Sequence, residues 1–422
     1  MIKKFLILLF MVHSLFAYDA TVEIVKKMDS LPKIAIQDAS DDTIDPKLRY
    51  KFFKLFAGDF RVSSHFRVVD EYLKSSFEGG AKENFLSDKN VDLILRYKIE
   101  LDDKGIKTRV KLINARSGET RTEGNYRLSN KKRYPFLVHR IVINTNDEIG
   151  APPINWMEQF IIFAKYTGRR ESEIVISDYT LSFQKTIVKG GLNVFPKWAN
   201  KAQNSFYYTS YNGYRPTLYR VNLSTGSREK IISSNGMLVC SDVSKDEKKL
   251  LLTMAPKDQA DIYIYDLRYK ELERITKYPG IDVNGNFVDN DKRVVFISDR
   301  LGYPNIFSKK IGESGVEQMV YHGKNNNSVS AIGNYIVYSS REKDSEFGDK
   351  TFNLYLISTK TDYIRQLTAT GKNLYPRFAK DKETIIFIKQ YKNQSSLGII
   401  RLNSNKSFLF PLKVGKIQSI DW

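Results

Sequence analysis

His65, His139 and His322 stand far apart in the sequence, and none has a partner at metal-ligand spacing. Neither H-E-x-x-H nor C-x-x-C occurs, so no metal site is expected. Cys240 is the only cysteine. No intrachain disulfide can form, and between Val239 and Ser241 in a strand-like stretch it reads as a small buried hydrophobe. Gly312-Glu-Ser-Gly315 falls one residue short of a nucleophile elbow, and neither a P-loop nor G-x-G-x-x-G is present. Asp102 and Asp103 are adjacent carboxylates, but Lys104-Gly105 follows them, which is turn chemistry. No Asp/Glu pair stands out as an acid/base couple. The expectation is a protein without catalytic, cofactor-binding or metal residues, in which recognition of a partner is the remaining chemistry.

Recognition needs a scaffold, and the scaffold is written as a repeat. An apolar strand recurs six times, at Phe160–Tyr166, Ser205–Tyr211, Leu250–Ala255, Val294–Arg300, Tyr335–Arg341 and Ile385–Tyr391. A second strand follows each, and a preceding strand carries an anchor at Trp198, Val243, Phe287, Val329 and Phe378. The period is about 45 residues with four strands per unit, the pattern of propeller blades. The first unit lacks its first strand, and the chain stops at Ile417-Gln-Ser-Ile-Asp-Trp422, one repeat length beyond Phe378. The terminal residues therefore complete the first blade and close a six-bladed ring, which removes an exposed strand edge.

Ahead of the repeat, Lys3 and Lys4 precede an apolar run from Phe5 to Val12 and a small residue at Ala17. The run is too short to span a bilayer, for which about 20 residues are needed, so 1–17 reads as a signal peptide. Residues 18–150 read as a small α/β domain. Asp45-Pro46 opens a helix with an apolar stripe at Leu48, Phe52, Phe53, Phe56 and Phe60. Strands are expected at 33–39, 66–70, 91–101 and 107–115, and a second helix at 131–144. Residues 151–158 have the composition of a linker, and 159–422 are the propeller. The fold class is thus α+β multidomain, an α/β domain followed by the closed propeller. Apolar residues make up 41% of the chain, enough for a sizeable core, and Tyr and Phe (25 each) far outnumber Trp (3), which suits strands. The formal charge is +19, but the lysines are dispersed and the chain reads as exported, so nucleic acid is not expected as a partner.

Ser298-Asp-Arg-Leu-Gly-Tyr-Pro-Asn-Ile-Phe307, Phe195-Pro-Lys-Trp198 and Tyr375-Pro-Arg-Phe378 resemble the blade motifs of the TolB propeller family, P-x-W-S-P-D-G and S-D-R-x-G-x-P-x-I-Y. Arg133 and His139-Arg140 are similar to a stretch in that family's small domain, whereas Gly150-Ala-Pro-Pro replaces its Gly-rich junction. The resemblance implies a periplasmic, monomeric component of the Tol–Pal system. Its propeller would bind a Pal-type outer-membrane lipoprotein and its N-terminal segment a TolA-type inner-membrane protein. It would meet the membrane only through those partners and support outer-membrane integrity and invagination during division. Other readings are an exported propeller enzyme, an accessory propeller related to serine exopeptidases, or an envelope sugar-binding protein.

Strand order places two sets of loops on one propeller face: those between blades, and those between second and third strands. Asn235, Asp282, Asn284, Asn326, Asn327, Asn373 and Arg300 fall there and are the candidate lipoprotein contacts. Val22, Ile24 and Met28 are the candidates in the N-terminal segment, by strand addition to a partner.

Overall fold

Asp45 and Pro46 start a helix as their residue types require. The Asp45 carboxylate accepts the Lys47 N–H at 2.9 Å, and Pro46 supplies a first-turn residue with no N–H to satisfy. In a computed structural model, which describes residues 31–79, 90–341, 351–361, 363–392 and 394–422, this helix, α1, spans Pro46–Ser63. Phe52, Phe53, Phe56 and Phe60 are all buried, each contributing about 1.5–3 kcal/mol through removal of apolar surface from water. The signal sequence and the N-terminal candidates Val22, Ile24 and Met28 lie outside the described residues.

The chain divides into two compact units, Met1–Ile154 and Asn155–Trp422. In the first, β1 (Lys33–Asp38) pairs in parallel with β2 (Arg67–Val68), β3 (Leu73–Lys74) and β4 (Leu93–Asp102). The sheet continues antiparallel through β5 (Gly105–Asn114) to β6 (Thr120–Leu128). The β4–β5 turn is the expected one, with the Lys104 N–H donating to Asp102 Oδ1 at 2.8 Å. Strand β6 was not expected from sequence: it is an edge strand exposed on most of its length, so it lacks the apolar alternation that marks a half-buried strand. A 3-10 turn, Lys131–Arg133, leads into α2 (Tyr134–Glu148), which packs on α1 and on β5 and β6.

The second half of the stretch read as a linker, Asn155–Glu158, is folded as a 3-10 turn, and Trp156 is buried edge-on against Trp422 and Tyr179. Six antiparallel blades of four strands follow. The innermost strands are Lys416–Asp421 for blade 1, then Asn193–Trp198, Leu238–Val243, Asp282–Val288, Lys324–Ile332 and Lys372–Phe378 for blades 2 to 6. Each lies beside the next, and blade 6 beside blade 1, so the ring is closed. Closure occurs as the sequence implies: Lys416–Asp421 pairs antiparallel with Ile161–Gly168.

The second strand of each blade is buried on both faces, which explains its unbroken apolar run. In blade 3, Leu250 and Leu252 pack with Tyr207 and Leu218 of blade 2, while Leu251 packs with Val294 and Phe296 of blade 4. One anchor is displaced from its expected place. Phe287 pairs with Val294 in blade 4, and the equivalent pair in blade 5 is Ala331 with Ile336. Val329 lies two residues earlier; its apolar type drew the assignment away from the smaller alanine.

Every innermost strand carries a bulge at the same level, from Val194/Lys197 in blade 2 to Ile417/Ser419 in blade 1. The bulge turns the residue before each anchor toward the axis, forming a ring of Lys197, Asp242, Asn286, Ser330, Arg377 and Asp421. Lys197 Nζ lies 3.0 Å from Asp421 and 3.3 Å from Asp242, and Arg377 Nε lies 3.7 Å from Asp421. The second oxygens of the carboxylates accept backbone N–H groups of the next blade, Trp198 N to Asp421 and Phe287 N to Asp242, both at 2.9 Å. Burial opposes the Lys197 charge, but Asp421 and Asp242 more than offset it and raise its pKa. Asp421→Ala strands Lys197 without its nearer partner and should cost about 3–5 kcal/mol, read as a lower urea midpoint with an unchanged slope.

Candidate docking face

The histidines serve structural roles. His139 Nδ1 is 2.6 Å from Asp59 Oδ2 with both side chains wholly buried, and His65 Nδ1 is 2.6 Å from Asn146 Oδ1. The Asn146 amide in turn donates to the Pro152 carbonyl at 2.9 Å. In the propeller, His322 Nδ1 lies 3.1 Å from the Tyr338 hydroxyl. Among the described residues no group of His, Cys, Asp and Glu could hold a metal ion. Cys240 is buried, its thiol donates to the Asp242 carbonyl, and burial pushes its pKa up.

The candidate lipoprotein contacts separate into two groups. Asp282, Asn326 and Asn373 are 0% exposed. The Asn373 amide donates to the carbonyls of Phe352 (2.8 Å) and Thr370 (3.0 Å), and the Asn326 amide to Asn305 Oδ1 (2.9 Å) and the His322 carbonyl (2.8 Å). Asn193 makes the same kind of bond to Gly190. These residues open their innermost strands and latch each blade to the one before it, so they are not surface contacts. Asp282 is held by Arg300 Nη2 at 3.1 Å, and Arg300, the seventh candidate, is only 18% exposed and committed to this pair and to Ser298 Oγ.

The second group faces open space. Asn235 is exposed. Asn284 and Asn327 line an axial cavity of about 460 Å³ together with Phe195, Val283, Leu374 and Tyr375. Asn284 is a bulge residue at φ 55°, and Phe195, Ser328 and Tyr375 are likewise left-handed, at φ 53°, 51° and 51°. Non-glycine residues rarely adopt that conformation, and four of them around one cavity is strain of the kind that gathers at functional sites. The Asn284 N–H is satisfied by Thr253 Oγ1 at 3.1 Å and its amide donates to the Val329 carbonyl, also at 3.1 Å, so the bulge is fixed rather than loose.

Sequence reading missed the apolar part of this face. Tyr214, Leu301 and Tyr391 project at or beside loops joining second to third strands, and Ile281, Tyr321 and Val414 project from the connections between blades. Tyr214 is 108% exposed and Tyr321 79%. The signal available in sequence was a lone large apolar residue inside each Gly/Asn/Pro-rich turn, where turn formation gives no reason for it. Arg169, Arg170, Arg215, Lys257 and Lys392 are exposed in the same loops. Exposed apolar groups ringing a strained apolar cavity form a surface suited to a protein partner.

Three comparisons bear on the chain. A model of the TolB beta propeller domain matches residues 158–422. The Tol-Pal system protein TolB of Wolinella succinogenes is 50% identical over 97% of this chain and 97% of its own length. That of Campylobacter jejuni is 46% identical over 99% and 98%. Among solved structures, TolB from Acinetobacter baumannii superposes with a TM-score of 0.75 over 93% of this chain and 96% of its own, at 20% identity, which supports the fold.

The division of the candidates is testable by urea denaturation. Asn326→Ala and Asn373→Ala, which remove buried hydrogen bonds, should each lower stability by about 1–3 kcal/mol. Asn235→Ala should stay within about 0.5 kcal/mol of the parent. Equal effects at all three positions would contradict the latch assignment.

Proposed function

The chain belongs to the TolB family of Tol–Pal system proteins, and on that premise we propose that it is a non-catalytic periplasmic adaptor whose propeller binds a Pal-type outer-membrane lipoprotein. The observation that carries the reading is the joint placement, on one face, of the exposed apolar crown and the cavity walled by left-handed bulge residues. A docked lipoprotein would cover Tyr214, Ile281 and Tyr321 and present side chains to the cavity, where Asn284 and Asn327 supply amide groups for orientation. Strained bulges favour this arrangement because their geometry is set before binding, so little ordering cost falls on association.

The N-terminal segment, with Val22, Ile24 and Met28, is proposed as the contact to a TolA-type inner-membrane protein. Binding to both partners would make the protein a link across the envelope, acting in outer-membrane integrity and in invagination during division. An adaptor of this kind needs no reacting groups. No described helix is long and apolar enough to cross a membrane.

Calorimetric titration of the purified full chain with the soluble domain of the lipoprotein from the same organism tests the reading. A 1:1 complex is expected, weakened at least tenfold by Tyr214→Asp combined with Ile281→Asp, since interface centres tolerate unpaired charge poorly. Absence of a complex, or a complex indifferent to both substitutions, would refute the propeller assignment.

A further inference from the structure

Lysine and arginine are dispersed along the chain, but the fold sorts them between the two faces of the ring. Connections between blades, and those from second to third strands, open on the docking face. They carry Arg169, Arg170, Arg215, Lys257 and Lys392, joined by Lys189, Lys277 and Lys413. All eight are exposed, and among the described residues none of them forms an ion pair. Arg300 lies in the same connections but is committed to buried Asp282.

Acids are few on this face. Among the described connections they are Asp258 and Asp299, and one Asp299 oxygen accepts the Ile281 N–H at 2.8 Å. Residues 342–350, the connection in blade 5, lie outside the described residues. With their four acids and two lysines counted, the excess remains positive. The opposite face is balanced. Its described connections, from first to second and from third to fourth strands, hold nine basic and nine acidic residues. A charge serving solubility alone would fall on both faces alike.

The excess is also confined to one side of the ring. All eight residues belong to blades 6, 1, 2 and 3 or to the connections leaving them, and these four blades are contiguous. Blades 4 and 5 add only the paired Arg300 and the acid-rich stretch 342–350. None of the eight lines the axial cavity. The face therefore has an apolar centre with a basic arc around two-thirds of it, the division between core and rim that protein interfaces show.

Given the docking reading above, on which this assignment rests, we propose that the arc recognises an acidic patch on the docked protein, steering its approach and setting its rotation about the ring axis. Rim charge acts chiefly on the rate of encounter and on register, whereas the apolar centre holds the complex together. Register needs fixing here, because six blades of one design present six similar orientations to a partner. Charge on four contiguous blades removes that ambiguity. A bilayer fits this face less well than a protein does. Its flat surface would leave the cavity of about 460 Å³ empty, whereas a protein can project side chains into it.

The test is stopped-flow association of the purified full chain with the soluble domain of the lipoprotein from the same organism. It is run at ionic strengths of about 0.01 and 0.15 M, between which the screening length shortens from about 30 to about 8 Å. Association should slow on the order of tenfold at the higher salt. Arg215→Glu, Lys257→Glu and Lys392→Glu combined should cause a similar loss at the lower salt and change dissociation by less than about threefold. Lys270→Glu, Lys360→Glu and Lys382→Glu, an equal charge change on the opposite face, should leave association within about twofold. All six positions are exposed, so both variants retain the fold. A rate indifferent to salt and to the first variant, or lowered equally by the second, overturns the proposal while the docking reading stands. No complex under any condition refutes the docking reading itself, and the proposal with it. Co-sedimentation with vesicles of phosphatidylcholine and phosphatidylglycerol completes the test. Vesicle binding that the first variant abolishes, beside lipoprotein association that it spares, assigns the arc to a membrane and overturns the proposal.

Discussion

A blade of this propeller cannot bury its own surface, and the rest of the structure follows from that constraint. Its second strand is apolar on both faces, as with Leu250, Leu251 and Leu252, so each blade needs a neighbour on either side. An open row of blades would leave two such faces in water. The ring must close, and the chain closes it by giving its last strand to its first blade. The Asp421 carboxylate joins that strand to blade 2 through the Trp198 N–H and to Lys197. The same contact recurs between blades 3 and 4, where Asp242 accepts the Phe287 N–H, so the carboxylate ties one blade to the next within the ring as well as at the seam.

Closure also explains the shape of the axial cavity. Six strands converging on one axis leave too little room for six ordinary side chains at every level. The bulges relieve the crowding and re-aim the backbone, and the residues that follow them form the ring from Lys197 to Asp421. In that ring Arg377, Asp421, Lys197 and Asp242 follow one another with alternating sign and Asn286 and Ser330 complete it, so the charges are paired internally and the ring forms a floor. Above it, the left-handed residues Phe195, Asn284, Ser328 and Tyr375 make the walls. The docking face thus inherits its rigidity from the same contacts that close the ring.

The architecture was legible in the sequence because a repeat displays one physical requirement six times. Strand order, blade number and the closing strand could be read from apolar periodicity and repeat length alone. Two elements resisted for identifiable reasons. Strand β6 is an exposed edge, so burial imposes no pattern on it, and the blade 5 anchor is an alanine whose larger neighbour Val329 drew attention. The candidate site was less legible. An Asn in a turn can point a free amide at solvent or spend it on a nearby carbonyl, and residue type is the same in both cases. Asn235 takes the first course and Asn326 and Asn373 the second. The exposed Tyr214 and Tyr321 were passed over because aromatic residues are so common in this chain that two more attracted no notice.

A repeat also supplies an internal standard against which exceptions can be judged. Buried Asn at the head of an innermost strand recurs at Asn193, Asn326 and Asn373, so the amide suffices for the mechanical task. Asp282 at the same position must be neutralised, and burying a carboxylate with an arginine gains little net stability over a neutral pair. The junction of blades 3 and 4 performs the same task with charge, Asp282 being held by Arg300 of the Ser298-Asp-Arg stretch that matches the blade motif. Neutral and charged latches thus fill one mechanical position in the ring, and the choice between them is a variation within the scaffold.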